Sequence, residues 1–443
     1  METFLSQTSF IPVTAALTRY LYENGISAFI SNYPYWYNGT TPFKFFIGPI
    51  VPVVEVLIKY LLGDVSFINI TICLIVLSFL LSVIGWYYLV VSLNPNIKKV
   101  TKVLFIIIAI LLPWRMFYAL TYGEATLVIA RNLIPFVFWV FYLKKKYLSF
   151  TLLSMLLLIN TSVLPFVLIG LLAVSAAEKF KYLKSYLSLV LYSLAFVTIW
   201  YTPGYWIAIL TNPSVGGTSG LKAILRLLSY VREGLPVALA IVAVLWQKKI
   251  LTNLEKFTYT WVFSFLFLTL FRFVGDMDFF MDWSIYFYEL EIALLLLFLV
   301  NKKFLSLFVL PIYTVYRLSF LYSNDYNLKD TLSSVYQVVG DRKVFLSGSS
   351  VFWANSYFDI KQLRGGRDQV ALDPIWDKAA YEFREGSGLT ETKIWLDKTG
   401  IEYMLVHTNT SWEYYHDFRN SFKWSKLGDK VWEKNGDILY KIK

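Results

Sequence analysis

Cysteine, histidine and charge are all scarce in this sequence. Its 443 residues include a single cysteine, Cys73, and two histidines, His407 and His416. One cysteine cannot form an internal bridge, which excludes a disulfide scaffold, and two histidines exclude a His-rich metal site. We expect both histidines to be surface residues. Charged residues make up 16% of the chain, against about 25% in soluble domains, which excludes a soluble enzyme, a coiled coil and a disordered chain.

Long apolar stretches make up much of the sequence. Hydrophobic residues make up 57% of the sequence, and the mean hydropathy is +0.54. Apolar stretches of about 18 residues recur, a length typical of membrane-spanning helices. We therefore predict an α-helical polytopic protein of the cell membrane. Its predicted spans are 66–93, 103–122, 124–143, 185–206, 234–246, 257–274, 284–300 and 304–322.

Two shorter apolar runs lie between residues 147 and 177, on either side of Asn160-Thr161-Ser162. Each has about 14 residues, too few to cross about 30 Å of hydrocarbon. We therefore predict a helical hairpin that enters the membrane and returns on the same side.

Lysine clusters orient the chain. The spans alternate in direction, and the hairpin enters and leaves the membrane on the same side. This topology places five lysine clusters on one side of the membrane, which the positive-inside rule assigns to the cytoplasm. These clusters are Lys98, Lys99 and Lys102; Lys144–Lys146; Lys179, Lys181 and Lys184; Lys248, Lys249 and Lys256; Lys302 and Lys303. They account for a basic membrane region in a chain of net charge +11. No nucleic-acid partner is expected, because no basic stripe with interleaved aromatic residues lies outside the spans.

Composition divides the chain into three predicted domains. Residues 1–65 form an outer-face loop with interfacial helices, residues 66–323 form the transmembrane helical domain, and residues 324–443 form a soluble extracytoplasmic α/β domain. The alternative for the first region is a true span at Phe43–Leu62, which would place residues 1–42 inside. That segment contains prolines and carries three charged residues, which are costly in a bilayer.

Local signals in the C-terminal region predict a small α/β fold. Arg342–Ser347 and Ile401–His407 have the pattern of strands, and Thr390–Lys398 has the pattern of a helix. Lys430–Ile442 is predicted to form a hairpin that turns at Asn435-Gly436, a strong two-residue hairpin signal.

Glu124 is the first candidate for chemistry. It closes the short outward turn Tyr122-Gly123-Glu124, close to Arg115 in sequence. A carboxylate fixed at the membrane edge could act as general base towards a sugar hydroxyl. The alternatives are an exposed loop carboxylate or an N-cap of the following helix.

Aromatic residues crowd the stretch Tyr33–Phe43. Trp36 and Tyr37 could stack on the faces of a sugar, and Asn38 could bond its hydroxyls. The alternative is an interfacial aromatic belt, which is common in membrane proteins.

Basic residues mark the outer segment 216–234. It is predicted to form an amphipathic surface helix in which Lys222, Arg226 and Arg232 hold a lipid phosphate or pyrophosphate. Arg115, in the neighbouring outer loop, is a fourth candidate for this phosphate. The alternative is a helix that lies in anionic headgroups.

Asp276 and Asp278 have the spacing of a carboxylate pair that binds a divalent metal, with Asp282 nearby. Such a pair alone is weak evidence, so no resident metal is predicted, and a divalent ion at these aspartates stays possible.

Glu289 and Glu291 lie inside a predicted span, where carboxylates need a partner or a cavity. Arg131 and Arg272 are the candidate partners, and a buried structural ion pair is the alternative to a functional site. Arg364 and Arg367 flank Gly365-Gly366 in a turn that either binds an anion or carries solvated charges.

Three pieces of the sequence resemble a known family. The first is Tyr33-Pro34-Tyr35-Trp36-Tyr37-Asn38-Gly39 with Gly48-Pro49. The second is Gly123-Glu124 with Leu133-Ile134-Pro135. The third is Gln362-Leu363-Arg364-Gly365-Gly366 with Pro374-Ile375-Trp376, Trp395-Leu396, Tyr403-Met404-Leu405-Val406-His407 and Asn435-Gly436-Asp437. On these residues the chain resembles the membrane proteins called 6-pyruvoyl-tetrahydropterin-synthase-related, whose architecture is similar to the GT-C class of polytopic glycosyltransferases.

The resemblance implies a GT-C-like fold and transfer of a sugar from a polyprenyl-phosphate donor on the outer membrane face. Glu124 would match an acidic position of the second outer loop in that family. GT-C proteins also carry an acidic residue at the start of their first outer loop. Phe4–Arg19 contains no Asp or Glu, so Glu23 is the nearest substitute.

The predicted function is transfer of that sugar, with inversion, to an envelope glycan, lipid or protein. The alternative is a non-catalytic membrane protein that binds a lipid-linked glycan or scaffolds an envelope assembly. A transporter is a third possibility, although no internal repeat of the transporter kind is present.

Overall fold

The computed structural model describes residues 5–44, 47–110, 112–211, 225, 251–274, 283–301, 328–366, 368–371, 373 and 375–443. Several predicted features lie outside these residues: Lys222, Arg226, Arg232, Asp276, Asp278, Asp282, Arg367, the side chain of Arg272 and the predicted spans 234–246 and 304–322. The predictions that depend on them therefore stay predictions.

Two helices occupy the predicted outer-face region. Helix α1 (Ile11–Asn24) carries a proline in its first turn, where a missing N–H costs nothing, and is closed by Gly25 at a φ of 63°. Helix α2 (Ile50–Leu62) has 13 residues, about 20 Å at 1.5 Å per residue. The side chain of Glu55, in α2, is buried, and its carboxyl group accepts a hydrogen bond from Thr18 of α1. The two helices are therefore tied together by a polar contact inside the protein.

The central region is helical. Its described helices are α3 (Phe67–Leu93), α4 (Lys99–Ile110), α5 (Pro113–Thr121), α6 (Ala125–Tyr142), α7 (Lys146–Ile159), α8 (Leu164–Ala177), α9 (Leu183–Val197), α10 (Pro203–Thr211), α11 (Asn253–Val274) and α12 (Trp283–Val300). Within the described residues, α3 and α6 are the helices that are long and apolar enough to cross a membrane, and α7, α8 and α9 are shorter apolar helices. Helices at the predicted spans 66–93 and 124–143 are thus confirmed, and the full set of eight crossings remains a prediction.

Two predicted spans are broken rather than continuous. The span predicted at 103–122 is divided between α4 and α5, and the span predicted at 185–206 is divided between α9 and α10. In both cases the second helix begins at a proline, Pro113 or Pro203. Proline lacks an N–H and clashes with the preceding turn, so an apolar run that contains one need not form a single helix.

The prediction of two helices on either side of Asn160 is confirmed by α7 and α8, which are joined by a short 3₁₀ turn at Thr161–Val163. An ion pair of 2.8 Å joins Lys144, just before α7, to Glu178, just after α8. The two helices therefore begin and end at the same place, as a hairpin must.

A buried polar network crosses the helical region. Arg131 Nε lies 3.1 Å from Glu289 Oε1, which confirms one of the predicted ion pairs. Glu291 instead accepts hydrogen bonds of 3.0 Å from the backbone N–H groups of Trp114 and Arg115, at the N-terminus of α5. Both carboxylates thus have partners inside the bundle, as expected for acidic groups in an apolar region.

The C-terminal region alternates helices with a four-stranded sheet. Its elements are α13 (Leu328–Val339), β1 (Val344–Phe345), α14 (Ser350–Tyr357), α15 (Ile375–Arg384), α16 (Leu389–Thr399), β2 (Tyr403–His407), α17 (Trp424–Leu427), β3 (Gly428–Lys434) and β4 (Asp437–Ile442). The strand order is β1-β2-β4-β3, with β1 and β2 parallel and the other pairs antiparallel. The predicted strands, the helix near residue 390 and the hairpin at Asn435-Gly436 are all confirmed.

His407 is buried, so the prediction of a surface residue is wrong for it. Its Nδ1 lies 2.8 Å from Asp437 Oδ1, and its Nε2 lies 3.2 Å from the carbonyl oxygen of Ser347. Because both ring nitrogens face oxygen acceptors, the doubly protonated ring satisfies both. Burial alone would lower the pKa of His407, but the hydrogen bond to Asp437 and the charge of Glu413 raise it above its ordinary value of 6.5.

We expect this histidine to make the C-terminal domain less stable as the pH rises. The stability from its raised pKa is fully present below pH 6.5, where the ring is protonated in both states, and is lost as the pH rises through the folded-state pKa. Thermal unfolding measured between pH 6 and pH 8 should show this loss, and His407→Gln should flatten the profile. His416→Gln, at an exposed position of the same domain, is the matched control variant. An unaltered slope in His407→Gln would contradict the assignment.

Candidate site around Glu124

A glycine shapes the turn that presents Glu124. A Cβ atom at Gly123 would lie 2.8 Å from Ala119 Cα and 2.9 Å from the carbonyl oxygen of Tyr118, so a larger residue has no room there. Helix α6 then starts immediately, with Glu124 at its N-cap position. The Glu124 side chain makes no capping hydrogen bond, so the alternative of an N-cap role does not describe its carboxylate.

The Glu124 carboxylate is instead held by side chains. Glu124 is 7% exposed, and its Oε1 accepts hydrogen bonds of 3.0 Å from Thr126 Oγ1 and 3.1 Å from Asn160 Nδ2. The alternative of an exposed loop carboxylate therefore does not apply. Two donors fix the orientation of this oxygen, as a positioned acid or base requires.

Asn160 is a site residue that sequence reasoning missed. It is fully buried at the apex of the α7–α8 hairpin, where its Oδ1 accepts a hydrogen bond of 2.9 Å from the backbone of Ser162. Its Nδ2 bonds Thr126 Oγ1 at 2.9 Å as well as Glu124. An asparagine between two apolar runs was the available signal, because a polar side chain in such a place needs a partner.

Two other segments meet at the hairpin apex. The Gly48 N–H donates to the carbonyl oxygen of Ile159 at 3.1 Å, and a Cβ on Gly48 would fall 1.6 Å from the carbonyl oxygen of Leu158. Thr161 bonds the hydroxyl of Tyr205, and the rings of Tyr201 and Tyr205 lie 4.7 Å apart. The site is therefore built from segments that are far apart in the sequence.

The C-terminal domain reaches this end of the bundle through the first described residues of the chain. Thr8 Oγ1 donates to the carbonyl oxygen of Thr121, at the end of α5, at 2.8 Å. Its neighbour Gln7 bonds the carbonyl oxygen of Trp412 at 3.1 Å and the N–H of Tyr414 at 2.9 Å. The loop that carries Trp412 and Tyr414 is thus linked to the turn that carries Glu124.

Trp36 and Tyr37 lie in the joint between the outer-face region and the C-terminal domain. Each is 1% exposed. Trp36 Nε1 donates to Asn355 Oδ1 at 2.9 Å, and the Tyr37 hydroxyl donates to Asp368 Oδ1 at 2.7 Å. Asn38, in contrast, is exposed at the tip of the turn. Sugar stacking by the two rings therefore stays a prediction, and in this structure their faces pack against protein.

Glu23 and Arg115 each have partners of their own. Glu23 pairs with Arg19 at 2.8 Å on α1, and its side chain is 42% exposed. Arg115 is 2% exposed, and its Nη2 donates to Asn132 Oδ1 at 2.7 Å and to Ser82 Oγ at 3.2 Å. Their predicted roles remain predictions.

Arg364, which precedes Gly365-Gly366, forms an ion pair with a carboxylate of the same chain. Arg364 Nη1 lies 3.8 Å from Asp417 Oδ2, and Arg384 Nη1 lies 3.3 Å from the same oxygen. Burial alone would raise the pKa of Asp417, but the hydrogen bond from Ser347 and the charges of Arg384 and Arg364 lower it below its ordinary value. Arg364 therefore takes part in an internal ion-pair cluster, and anion binding by the turn as a whole stays a prediction because Arg367 lies outside the described residues.

No group of three or more histidine, cysteine, aspartate or glutamate residues that could hold a metal occurs in the part of the chain that the structure describes. The candidate metal residues Asp276 and Asp278 lie outside that part, so a metal there is neither supported nor opposed.

Solved structures resemble this chain, although no family model and no curated protein matches it. The oligosaccharyltransferase of Archaeoglobus fulgidus, tethered to an acceptor peptide containing the NVT sequon, aligns with a TM-score of 0.51 at 10% identity over 91% of this chain and 65% of that one. The complex of that enzyme with Zn and sulfate gives 0.48 at 12% identity over 89% and 63%. The archaeal oligosaccharyltransferase AglB of the same organism, with an inhibitory peptide and a dolichol-phosphate, gives 0.46 at 12% identity over 98% and 70%.

This chain thus spans about two thirds of the length of those enzymes. At such low identity the likeness shows the fold alone: a mostly helical protein with a small sheet, resembling the GT-C oligosaccharyltransferase fold.

Proposed function

We propose that this protein is an integral membrane glycosyltransferase of the GT-C type, related to the 6-pyruvoyl-tetrahydropterin-synthase-related membrane proteins. It moves a sugar from a polyprenyl-phosphate donor to an envelope glycan, lipid or protein on the outer face. The observation that carries the proposal is the Glu124 carboxylate, held by Asn160 and Thr126 at the junction of four chain segments on a GT-C-like fold.

Glu124 acts as the general base in this proposal. It takes the proton of the acceptor hydroxyl while the hydroxyl oxygen attacks the anomeric carbon of the donor. The bond from that carbon to the phosphate oxygen breaks, and polyprenyl phosphate leaves with the electron pair. Attack from the face opposite the leaving group inverts the anomeric centre. Loss of transfer in Glu124→Gln is the test.

The donor lipid remains in the bilayer during this reaction, because each CH₂ exposed to water costs about 0.8 kcal/mol. Lys222, Arg226 and Arg232, together with Arg115, are the cations proposed to hold its phosphate. A divalent ion at Asp276 and Asp278 would serve the same phosphate. The Archaeoglobus fulgidus oligosaccharyltransferase that aligns with a TM-score of 0.51 is tethered to an acceptor peptide, which agrees with a protein among the acceptors.

A non-catalytic role is the second candidate, and one observation favours it. The aromatic rings predicted to stack on sugar, Trp36 and Tyr37, are buried in a joint between regions of the protein. A protein that scaffolds an envelope assembly would need such a rigid joint and no catalytic base. Absence of sugar transfer by the wild-type protein would favour this role.

The lysine clusters predict which residues face the cytoplasm, and this is testable by cysteine labelling. In a Cys73→Ala background, a membrane-impermeant thiol reagent should label Lys443→Cys in intact cells but should leave Lys145→Cys and Lys248→Cys unlabelled until the cells are opened. The reason is the positive-inside rule applied to alternating spans. Labelling of residue 145 in intact cells would overturn the orientation, and with it the outward position of Glu124.

A further inference from the structure

The sequence contains four Asn-X-Ser/Thr triplets whose middle residue is not proline. They begin at Asn38, Asn69, Asn160 and Asn409. This triplet is the acceptor motif for N-glycosylation, in which a glycan joins the asparagine amide at a protein surface. Whether each of the four sites can carry a glycan depends on where the fold places its asparagine.

Two of the four asparagines lie at the tips of exposed turns. The Gly39 N–H closes one turn on the carbonyl oxygen of Trp36 at 2.7 Å, with Asn38 at a φ of 62°. The Ser411 N–H closes the other on the carbonyl oxygen of Thr408 at 3.0 Å, with Asn409 in its centre. Both asparagines are exposed, and neither side-chain amide forms a hydrogen bond in the described part of the chain.

The other two triplets belong to the helical region. Asn69 lies in the first turn of α3, a candidate membrane span, and its Oδ1 is buried. Asn160 is fully buried and holds Glu124. Asn160 offers no amide to a bulky glycan because it is buried, and Asn69 lies in a candidate membrane span, so the two act as internal negative controls.

We infer that Asn38 and Asn409 carry N-linked glycans. A separate oligosaccharyltransferase of the host joins the amide nitrogen to the anomeric carbon of a polyprenyl-linked oligosaccharide. The bond from that carbon to the lipid phosphate or pyrophosphate breaks, the lipid phosphate leaves, and the amide loses one proton. Both turns lie in regions predicted to be extracytoplasmic. The inference does not depend on the activity proposed for Glu124.

The fold also determines whether the glycans are attached before or after the two turns fold. The hydroxyl of the third residue is engaged in both triplets, because Thr40 Oγ1 donates to the carbonyl oxygen of Val370 and Ser411 Oγ donates to Asp437. Both residues are buried. A transferase that reads this hydroxyl can reach it only before the turn closes, so the glycans are attached before the two turns fold.

Glycopeptide mass spectrometry on the full chain purified from its source organism tests the inference. We expect a glycan at Asn38 and one at Asn409, and unmodified Asn69 and Asn160. Asn38→Asp and Asn409→Asp should each remove the mass of one glycan. The matched variants Thr40→Ser and Ser411→Thr keep the motif and should keep the glycan.

Unmodified Asn38 and Asn409 in that material would overturn the inference, and a glycan at one of them alone would overturn it for the other. A glycan at Asn69 or Asn160 would overturn the argument from exposure. The folding order is tested separately: folded protein made without glycans should stay unmodified when it is mixed with the host's membranes, and efficient modification would refute that order.

Discussion

Replacing Glu124 with glutamine is expected to abolish sugar transfer while the protein stays folded. Glutamine keeps an oxygen that can accept the hydrogen bonds from Asn160 and Thr126, but it cannot take a proton from the acceptor. Loss of a general base typically costs about 10²- to 10⁴-fold in rate. Mass spectrometry of the envelope glycans of wild-type and Glu124→Gln cells measures this loss.

An exposed carboxylate of the C-terminal domain provides the control. Glu402→Gln removes a negative charge from the same predicted side of the membrane and should leave the glycan unchanged. Glu23→Gln distinguishes the two predicted catalytic residues. If Glu23→Gln abolishes the product and Glu124→Gln does not, the base has been assigned to the wrong carboxylate.

The second large effect is expected at Gly365. A Cβ at this position would lie 2.5 Å from Tyr37 Cε2 and 2.6 Å from Trp36 Cγ. Both rings are buried and tied by hydrogen bonds, so they cannot move away easily. Gly365→Ala should therefore lower the free energy of unfolding by about 1–3 kcal/mol, as overpacking of a core usually does. Thermal unfolding of the detergent-solubilised protein measures the change.

Gly388→Ala is the matched control in the same domain. Its added Cβ would meet Glu391 Cβ at 3.7 Å, an ordinary contact. Limited proteolysis should also cut the loop around Trp36 faster in Gly365→Ala than in Gly388→Ala, because the added methyl group would displace that loop from the C-terminal domain. Equal melting temperatures and equal cleavage of the two variants would show that the joint does not need the glycine.

Local signals predicted much of the secondary structure. The apolar runs placed α3, α6 and the two helices of the hairpin, and Asn435-Gly436 placed the β3–β4 turn. These features depend on residues that are near one another in the chain, so the sequence carries them directly. The breaks before Pro113 and Pro203 also have a local signal, because proline disfavours a helix that continues through it, but the long apolar runs on both sides favour a single span.

The roles of single side chains could not be predicted in the same way. Tyr37 meets its partner Gly365 across 328 positions in the sequence, and nothing near Tyr37 indicates that its ring is buried. His407 is similar, because the carboxylate that bonds its ring and raises its pKa lies on another strand. The position of Glu124 in an outward turn makes it a candidate from the sequence. Its contact with Asn160 depends on how the hairpin packs against α6, which the sequence does not show.

Turnover of a labelled donor tests the central claim most directly. The purified protein is reconstituted in liposomes with a lipid extract of its source organism, in which the sugars of the polyprenyl-phosphate lipids carry a radioactive label, and the organism's envelope fraction is added as acceptor. The protein should consume one of those lipids, pass the labelled sugar to the acceptor and release unlabelled polyprenyl phosphate. The Glu124→Gln protein in the same liposomes should leave that lipid intact. If the wild-type protein leaves every labelled lipid unchanged, or if the variant consumes it at the wild-type rate, the protein is not a glycosyltransferase that uses Glu124.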